Sequence, residues 1–316
     1  MRLCLLLSST CMKSNNIYQF KSLTEFHAMS GLSKPEHPLV SLVDYGLVEY
    51  QTDEREISWV QDFYSIGLKR NIQGKFKYGQ QEYDFDEGLM SFVAPGQAVK
   101  ISIEKQTSKP SGYLLLIHPD FLWNTPLAKN IRLYDFFGYA VNEALFLSEK
   151  EETIITDIMK HIEREYHANI DAFTQNIIIS QFELLFSYAE RFYQRQFITR
   201  KITNHRILEN LEQVLDEYFN SGDLVTKGLP TVQFISAQLN ISPNYLGSLL
   251  KTLTTKTTRQ HIYDRIVERA KEKLSTTSLT IGEIAYELGF EHPQSFSKFF
   301  KANTQQSPVE FRNSFN

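Results

Sequence analysis

The chain has 316 residues, long enough for two domains, and its 42% hydrophobic and 22% charged content allows ordinary buried cores. Its two cysteines, Cys4 and Cys11, form no framework that could staple a fold, which points to a reducing, cytoplasmic compartment, and no run approaches the length of a membrane span. The formal net charge of −4 is unevenly spread: residues 200–316 hold 14 Lys and Arg against 12 Asp and Glu, leaving 19 against 25 before them.

The opening stretch from Met1 to Cys11 resembles a signal peptide, but its apolar core is too short. It reads as an upstream extension before a natural start at Met12. Residues 13–40 are expected to be irregular, with Pro35 and Pro38 opposing any helix. Residues 41–118 read as β structure. Partial alternation runs through Phe63-Tyr-Ser-Ile-Gly-Leu68, Gly74-Lys-Phe-Lys-Tyr-Gly79 and Tyr83-Asp-Phe85, with Asp86-Glu-Gly88 as a turn. Leu89-Met-Ser-Phe-Val93 ends at the turn Ala94-Pro-Gly96, and Val99-Lys-Ile-Ser-Ile-Glu104 and Tyr113-Leu-Leu-Leu-Ile117 complete the set. Short strands at this spacing predict a sandwich or small barrel.

Ser148 with Glu151 three residues on forms a capping box, and a helix is expected over residues 149–167. A second is expected over 171–197. Within it Ile178, Phe182, Leu185, Ala189 and Phe192 step by four, three, four and three, which gives one apolar seam. That seam fits either packing on the chain's own β domain or an interface between two copies. Residues 198–230 read as a helix around 207–218, then a loop through Ser221-Gly-Asp223 and Gly228.

The C-terminal part contains a degenerate repeat. Ile235-Ser-Ala-Gln-Leu-Asn-Ile-Ser-Pro-Asn-Tyr-Leu-Gly-Ser-Leu-Leu-Lys251 is echoed by Ile284-Ala-Tyr-Glu-Leu-Gly-Phe-Glu-His-Pro-Gln-Ser-Phe-Ser-Lys-Phe-Phe-Lys301. Each copy reads as a short helix, a tight turn and a second short helix, the pattern of DNA-reading proteins. In the first, Thr231 is a candidate cap and Val232, Ile235 and Leu239 face inward. Ser242 caps the second helix, Pro243 takes its first position, and Leu246, Leu249 and Leu250 face inward. Asn244, Gly247, Ser248 and Lys251 then point outward, Asn being able to pair with adenine and Lys251 to meet phosphate. In the second copy Ile281, Ile284 and Leu288 face inward and Gly289 closes the helix. Pro293 starts the next helix, which Phe296, Phe299 and Phe300 anchor. Gln294, Ser295, Ser297, Lys298 and Lys301 project outward. A helix of about 28 Å, residues 257–275, separates the units, and one DNA turn is about 34 Å. That length suits two reading helices in successive major grooves. Either unit alone reads equally well as a helical hairpin within a core.

This region resembles the AraC family of bacterial transcription regulators. The resemblance is carried by Asp264-Arg-Ile-Val-Glu-Arg-Ala270 with Leu274, Ile281-Gly-Glu-Ile-Ala-Tyr-Glu-Leu-Gly-Phe290, Ser295-Phe-Ser-Lys-Phe-Phe-Lys301 and Ser307-Pro-Val-Glu-Phe-Arg312, within about 110 residues. It implies base contacts from Asn244, Gly247 and Ser248 in the first unit and from Pro293, Gln294, Ser295 and Lys298 in the second. Where the family often carries Gly after each reading helix, Thr255 and Gln305 stand here, and such positions usually adopt a left-handed conformation. The N-terminal region resembles, more weakly, the cupin-like sensory domain of such regulators.

Catalytic chemistry is not indicated. His27, His37 and His118 are isolated, and His161 and His167 are badly spaced for joint ligation. No nucleophile elbow, phosphate loop or zinc-finger spacing occurs, so no cofactor and no metal are expected. The expected architecture is α+β: a cupin-like β-barrel or sandwich with following helices over 13–200, and an all-α double helix-turn-helix domain over 205–316. The expected function is sequence-specific regulation of transcription. Its partners would be double-stranded DNA, a small-molecule effector, a second copy of the chain and RNA polymerase, with no membrane. Two alternatives concern the N-terminal half alone: a cupin enzyme fused to a DNA module, or a dimerisation module without ligand.

Overall fold

A computed structural model describes residues 17–51, 56–70, 76–78, 81–83, 88–102, 111–140, 143–168, 171–199 and 201–314. Cys4, Cys11, Met1 and Met12 lie outside the described residues, as do the expected strand and turn positions Gly74, Gly79, Phe85, Asp86, Glu87 and Glu104. The chain divides into two compact units. The first comprises residues up to Leu133 together with Phe146–Phe186, and the second Tyr134–Leu145 together with Ser187–Asn316.

The first unit begins with strand β1 (Ile17–Phe20) and helix α1 (Leu23–Met29), both inside the stretch expected to be irregular. The helix forms because Ser22 accepts from the Glu25 N–H at 3.3 Å while Glu25 accepts from the Lys21 N–H at 2.7 Å. Strands β2 (Val40–Asp44), β3 (Glu56–Gln61), β4 (Tyr64–Arg70), β5 (Phe76–Tyr78), β6 (Gln81–Tyr83), β7 (Leu89–Val93), β8 (Ala98–Ser102) and β9 (Ser111–Ile117) follow. One antiparallel sheet runs β7-β4-β9-β2, with Ile66 opposite Phe92 and Leu115, and Leu42 also opposite Leu115. Tyr64–Leu68 and Leu114–Ile117 are buried at every position, so both inner strands are covered on two faces, and Leu114–Ile117 reads as a continuous apolar run. A second sheet is ordered β1-β3-β8, its first pair parallel, and β5 pairs with β6 alone. Among the described residues no strand pairing joins the two sheets. Hydrogen bonding therefore does not close the expected barrel, and the cupin-like resemblance gains no support from strand pairing. A short helix α2 (Leu127–Asn130) precedes α3 (Glu149–Tyr166), where the Ser148 N–H donates to Glu151 at 2.9 Å as the capping box requires. Helix α4 (Thr174–Thr199) follows.

The second unit is helical. Helices α5 (Lys201–Asn220) and α6 (Asp223–Lys227) precede α7 (Val232–Leu239), α8 (Pro243–Thr254), α9 (Thr258–Thr276), α10 (Ile281–Glu287), α11 (Pro293–Thr304) and α12 (Pro308–Asn313). The loop expected after α5 thus contains a short helix, bounded by Gly222 and Gly228 at φ 81° and 74°. Two apolar cores support the domain. Leu211, Leu215, Ile235, Leu246, Leu250, Ile262 and Ile266 form one; Ala270, Leu274, Ile284, Ala285, Leu288, Phe296 and Phe300 form the other. Partly buried Phe290 touches both, so the two helix pairs share one packed body.

Candidate nucleic-acid interface

The local chemistry of the repeat produces the same backbone twice. Thr231 caps α7 by accepting from the Phe234 N–H at 3.1 Å, and Asn240 ends that helix at φ 55°. Ser242 caps α8 by accepting from the Tyr245 N–H at 3.2 Å, with Pro243 at the first position. In the second copy Thr280 and Glu283 form a capping box on α10, and Gly289 at φ 79° closes it. Pro293 opens α11, but His292 before it makes no side-chain cap bond. Both reading helices end at residues with left-handed backbones, Thr255 at φ 61° and Gln305 at φ 65°. Their N–H groups return to the carbonyls of Lys251 and Lys301. The two departures from Gly therefore keep the Gly-type turn at some strain.

Side-chain exposure follows the expected inward and outward faces. Ile235, Leu246, Leu249, Leu250, Ile284, Leu288, Phe296 and Phe300 are buried. Val232, Leu239, Ile281 and Phe299 are partly buried against the cores. Gln294, Ser295, Lys298 and Lys301 are exposed on α11, as are Asn244 and Lys251 on α8. Pro293, Gly247, Ser248 and Ser297 are intermediate. The Ser297 hydroxyl donates to the Pro293 carbonyl at 3.0 Å, so it is turned onto its own helix rather than outward as expected. Gly247 has open space above it: an added Cβ would meet nothing within 4 Å.

The distribution of ion pairs sharpens the electrostatics. On α9, Arg265 contacts Glu212, Asp216 and Glu268 at 2.9, 2.8 and 3.1 Å, and Arg269 contacts Glu272 at 3.2 Å. Lys273 pairs with Glu287 and Lys256 with Asp264, both at 2.6 Å. Among the described residues Lys251 and Lys298 enter no ion pair. Carboxylates thus compensate Arg265, Arg269 and Lys273 on the spacer, while Lys251 and Lys298 on the reading helices stay uncompensated among the described residues. The spacer α9 carries a capping box from Thr257 to Gln260 and has 19 residues. At about 1.5 Å per residue it is about 28 Å long.

The face of α8 is not open along its whole length. A short 3₁₀ turn, Asp135–Gly138, lies across it within the same unit. Asp135 accepts from the Ser248 hydroxyl at 2.9 Å, and the Tyr139 hydroxyl bonds the same serine. Gly138 meets the Asn244 amide so closely that an added Cβ would overlap it. Glu143 accepts from the Ser242 N–H and the Ser242 hydroxyl, each at 2.5 Å, and from the Ala140 N–H at 2.6 Å. Burial pushes the Glu143 carboxyl above the usual carboxylate range, and those three donors oppose the shift. Two of the expected base-reading positions, Asn244 and Ser248, therefore contact the chain itself. No local sequence signal marks this contact, since its partners are 99 and 113 positions apart.

Comparison with known proteins decides the family of this region. The helix-turn-helix domain family matches residues 235–314. An uncharacterised HTH-type transcriptional regulator of Pseudoalteromonas carrageenovora is 30% identical over 115 residues, 36% of this chain and 63% of that protein. The match thus takes in less than two thirds of that relative's length. The C-terminal region is an AraC-type helix-turn-helix domain. The AraC-type domain is also similar to the regulatory protein SoxS of Salmonella typhimurium, 24% identical over 111 residues, 35% of this chain and 97% of that protein. A solved structure, the C-terminal domain of the two-component response regulator yesN from Fusobacterium nucleatum, is 28% identical with a TM-score of 0.29. It covers 33% of this chain and 95% of its own.

Outside the AraC-type domain, of the two readings of the apolar seam the burial favours packing within the chain. Ile178, Phe182, Leu185, Ala189 and Phe192 are at most 4% exposed. They are used within the chain, as the Phe121–Phe182 contact at 6.1 Å illustrates, and offer no surface to a second copy. His27 is structural: its Nδ1–H donates to the Ser33 carbonyl at 2.5 Å and its Nε2 accepts from the Ser41 hydroxyl at 2.9 Å. Burial lowers its pKa. His118 Nδ1 accepts from the Asp120 N–H at 3.3 Å. Among the described residues no group of three His, Cys, Asp or Glu side chains could hold a metal. No described helix is long and apolar enough to cross a membrane.

Proposed function

We propose that this chain is a sequence-specific transcription regulator whose helices α8 and α11 enter successive major grooves on one face of a duplex. The observation that carries this is the paired construction: two reading helices with proline starts and left-handed ends, joined by a capped spacer, each bearing an exposed lysine outside any described ion pair. In this reading Gln294 and Ser295 reach base edges from α11, Lys298 beside them meets a phosphate or a guanine edge, and Pro293 sets the helix start. Asn244 and Ser248 do so from α8, where Gly247 lets the backbone approach. Lys251 and Lys301 lie in the last turns and meet phosphate. Ser297 plays a smaller part, because its hydroxyl is already donated. Selection from a random duplex pool tests the proposal. Enrichment of one sequence supports it, and uniform binding at every salt concentration counts against it.

The first unit is assigned to effector sensing. It holds a cleft of about 430 Å³ lined in part by Tyr64, Pro119, Trp123, Ile131 and Arg132, within the range of small-molecule sites. An aromatic beside a guanidinium suits a small anionic compound with an apolar body. Thermal-shift screening with metabolite anions checks it. Stabilisation abolished by Arg132→Ala supports the assignment, and no stabilisation by any of them favours a purely structural unit.

A further inference from the structure

The contact on α8 has a chemical logic beyond packing. A helix N-terminus with a free N–H and a hydroxyl is a phosphate donor pair, and an outward serine one turn later is a donor to base or backbone. Glu143 takes both donors of Ser242, and Asp135 takes the donor of Ser248. Glu143 is itself only 7% exposed, so solvent does not compete for it. Gly138 sits on the Asn244 amide, and its lack of a side chain is what allows that approach. Tyr139 anchors the segment, edge-on to Tyr245 at 5.3 Å and to Tyr193 at 5.0 Å. Among the described residues no comparable acidic contact is made to Gln294, Ser295 or Lys298 on α11.

From this geometry we infer that residues 135–140 with Glu143 act as an intrachain mimic of DNA, placing carboxylates on the donors of α8 that a duplex would use. The inference rests on the reading that α8 enters a groove. The segment and the duplex then exclude one another. Binding through both helices requires the segment to leave, and the observed affinity is the intrinsic affinity reduced by the fraction of molecules in which it has left. The occluding groups are acidic and the occluded helix carries Lys251, so release also increases the positive field facing the duplex.

The test uses the full chain and a duplex that the unmodified chain selects from a random pool. Gly138→Val places a side chain where the Asn244 amide lies, so the segment or that amide must give way, without substituting any proposed DNA contact. Asp135→Asn with Glu143→Gln removes the carboxylates at nearly constant shape, and serves if the valine variant does not fold. Each is measured alone and combined with Asn244→Ala. Occlusion predicts that both release variants bind at least about tenfold more tightly than the unmodified chain, and that Asn244→Ala weakens binding in those backgrounds. Release variants that bind no more tightly, while Asn244→Ala still weakens them, overturn the occlusion and leave the reading of α8 intact. An Asn244→Ala change without effect in every background removes the reading of α8 and the occlusion with it.

Discussion

Lys298 offers the sharpest quantitative test of which charges face DNA. It is exposed on α11 and in no ion pair among the described residues, whereas Arg265 on the spacer is held by three carboxylates within 3.1 Å. A lysine that neutralises one phosphate releases about one counterion, so its loss lowers the slope of log K against log salt by about 0.9. Between 50 and 200 mM salt the affinity ratio of unmodified chain to Lys298→Ala should then shrink by roughly 3.5-fold. Arg265→Ala should leave the slope unchanged, because its charge is already compensated. Fluorescence anisotropy with one labelled duplex at four salt concentrations measures both. If Lys298 instead pairs with guanine, the slope stays constant and one base preference relaxes by about 1–3 kcal/mol. An unchanged slope with unchanged preference refutes the placement of Lys298, and a slope lowered by Arg265→Ala refutes the ion-pair reasoning.

Three further expectations concern the scaffold. Thr255 is a β-branched residue held at φ 61°, so Thr255→Gly should stabilise the second unit by about 0.5–1 kcal/mol, and Gln305→Gly by less. Asn240→Gly should be nearly neutral, since Asn tolerates that backbone; urea unfolding followed by far-ultraviolet circular dichroism compares the three, and equal effects would contradict the strain assignment. Burial disfavours the charged imidazolium of His27 and holds its folded pKa below the unfolded value. Its stabilising contribution is therefore full above about pH 6.5 and is lost as pH falls through the folded pKa. Thermal unfolding monitored by Trp59 and Trp123 should show that loss, and His27→Gln should flatten it; an equally steep profile in the variant would assign the dependence elsewhere. Phe182→Ala should cost about 3–5 kcal/mol in the same fluorescence assay, as expected of a fully buried ring. A stable variant that had only lost self-association would restore the seam to an interface.

Much of the second unit was legible because its signals are local. Caps at Thr231 and Ser242, apolar steps of three and four residues, and the proline starts all act within one or two turns. Gly289 and the Gly-type positions Thr255 and Gln305 likewise adopt the backbone their place in the repeat requires. In the first unit, Leu89–Val93 matches its strand because a proline turn follows it, whereas β1 falls in the stretch expected to be irregular and β2 and β3, at or within the stretch read as β structure, have no such turn after them. Strands of four to six residues without sustained alternation leave little periodicity to detect. Helix α1 was discoverable, since Ser22 and Glu25 have capping-box spacing, but only seven residues follow. The seam on α4 shows a different limit: periodicity identifies an apolar face but not whose core it fills. The cover on α8 is the extreme case, made by partners about a hundred positions away that carry no motif.

In the proposed complex both reading helices engage one duplex together. Hydroxyl-radical footprinting of the full chain at saturation on its selected duplex measures this directly. Two protected tracts about one helical turn apart on the same face are expected, with Asn244→Ala and Gln294→Ala each weakening a different tract. A single tract, or two tracts on opposite faces of the duplex, would contradict that arrangement.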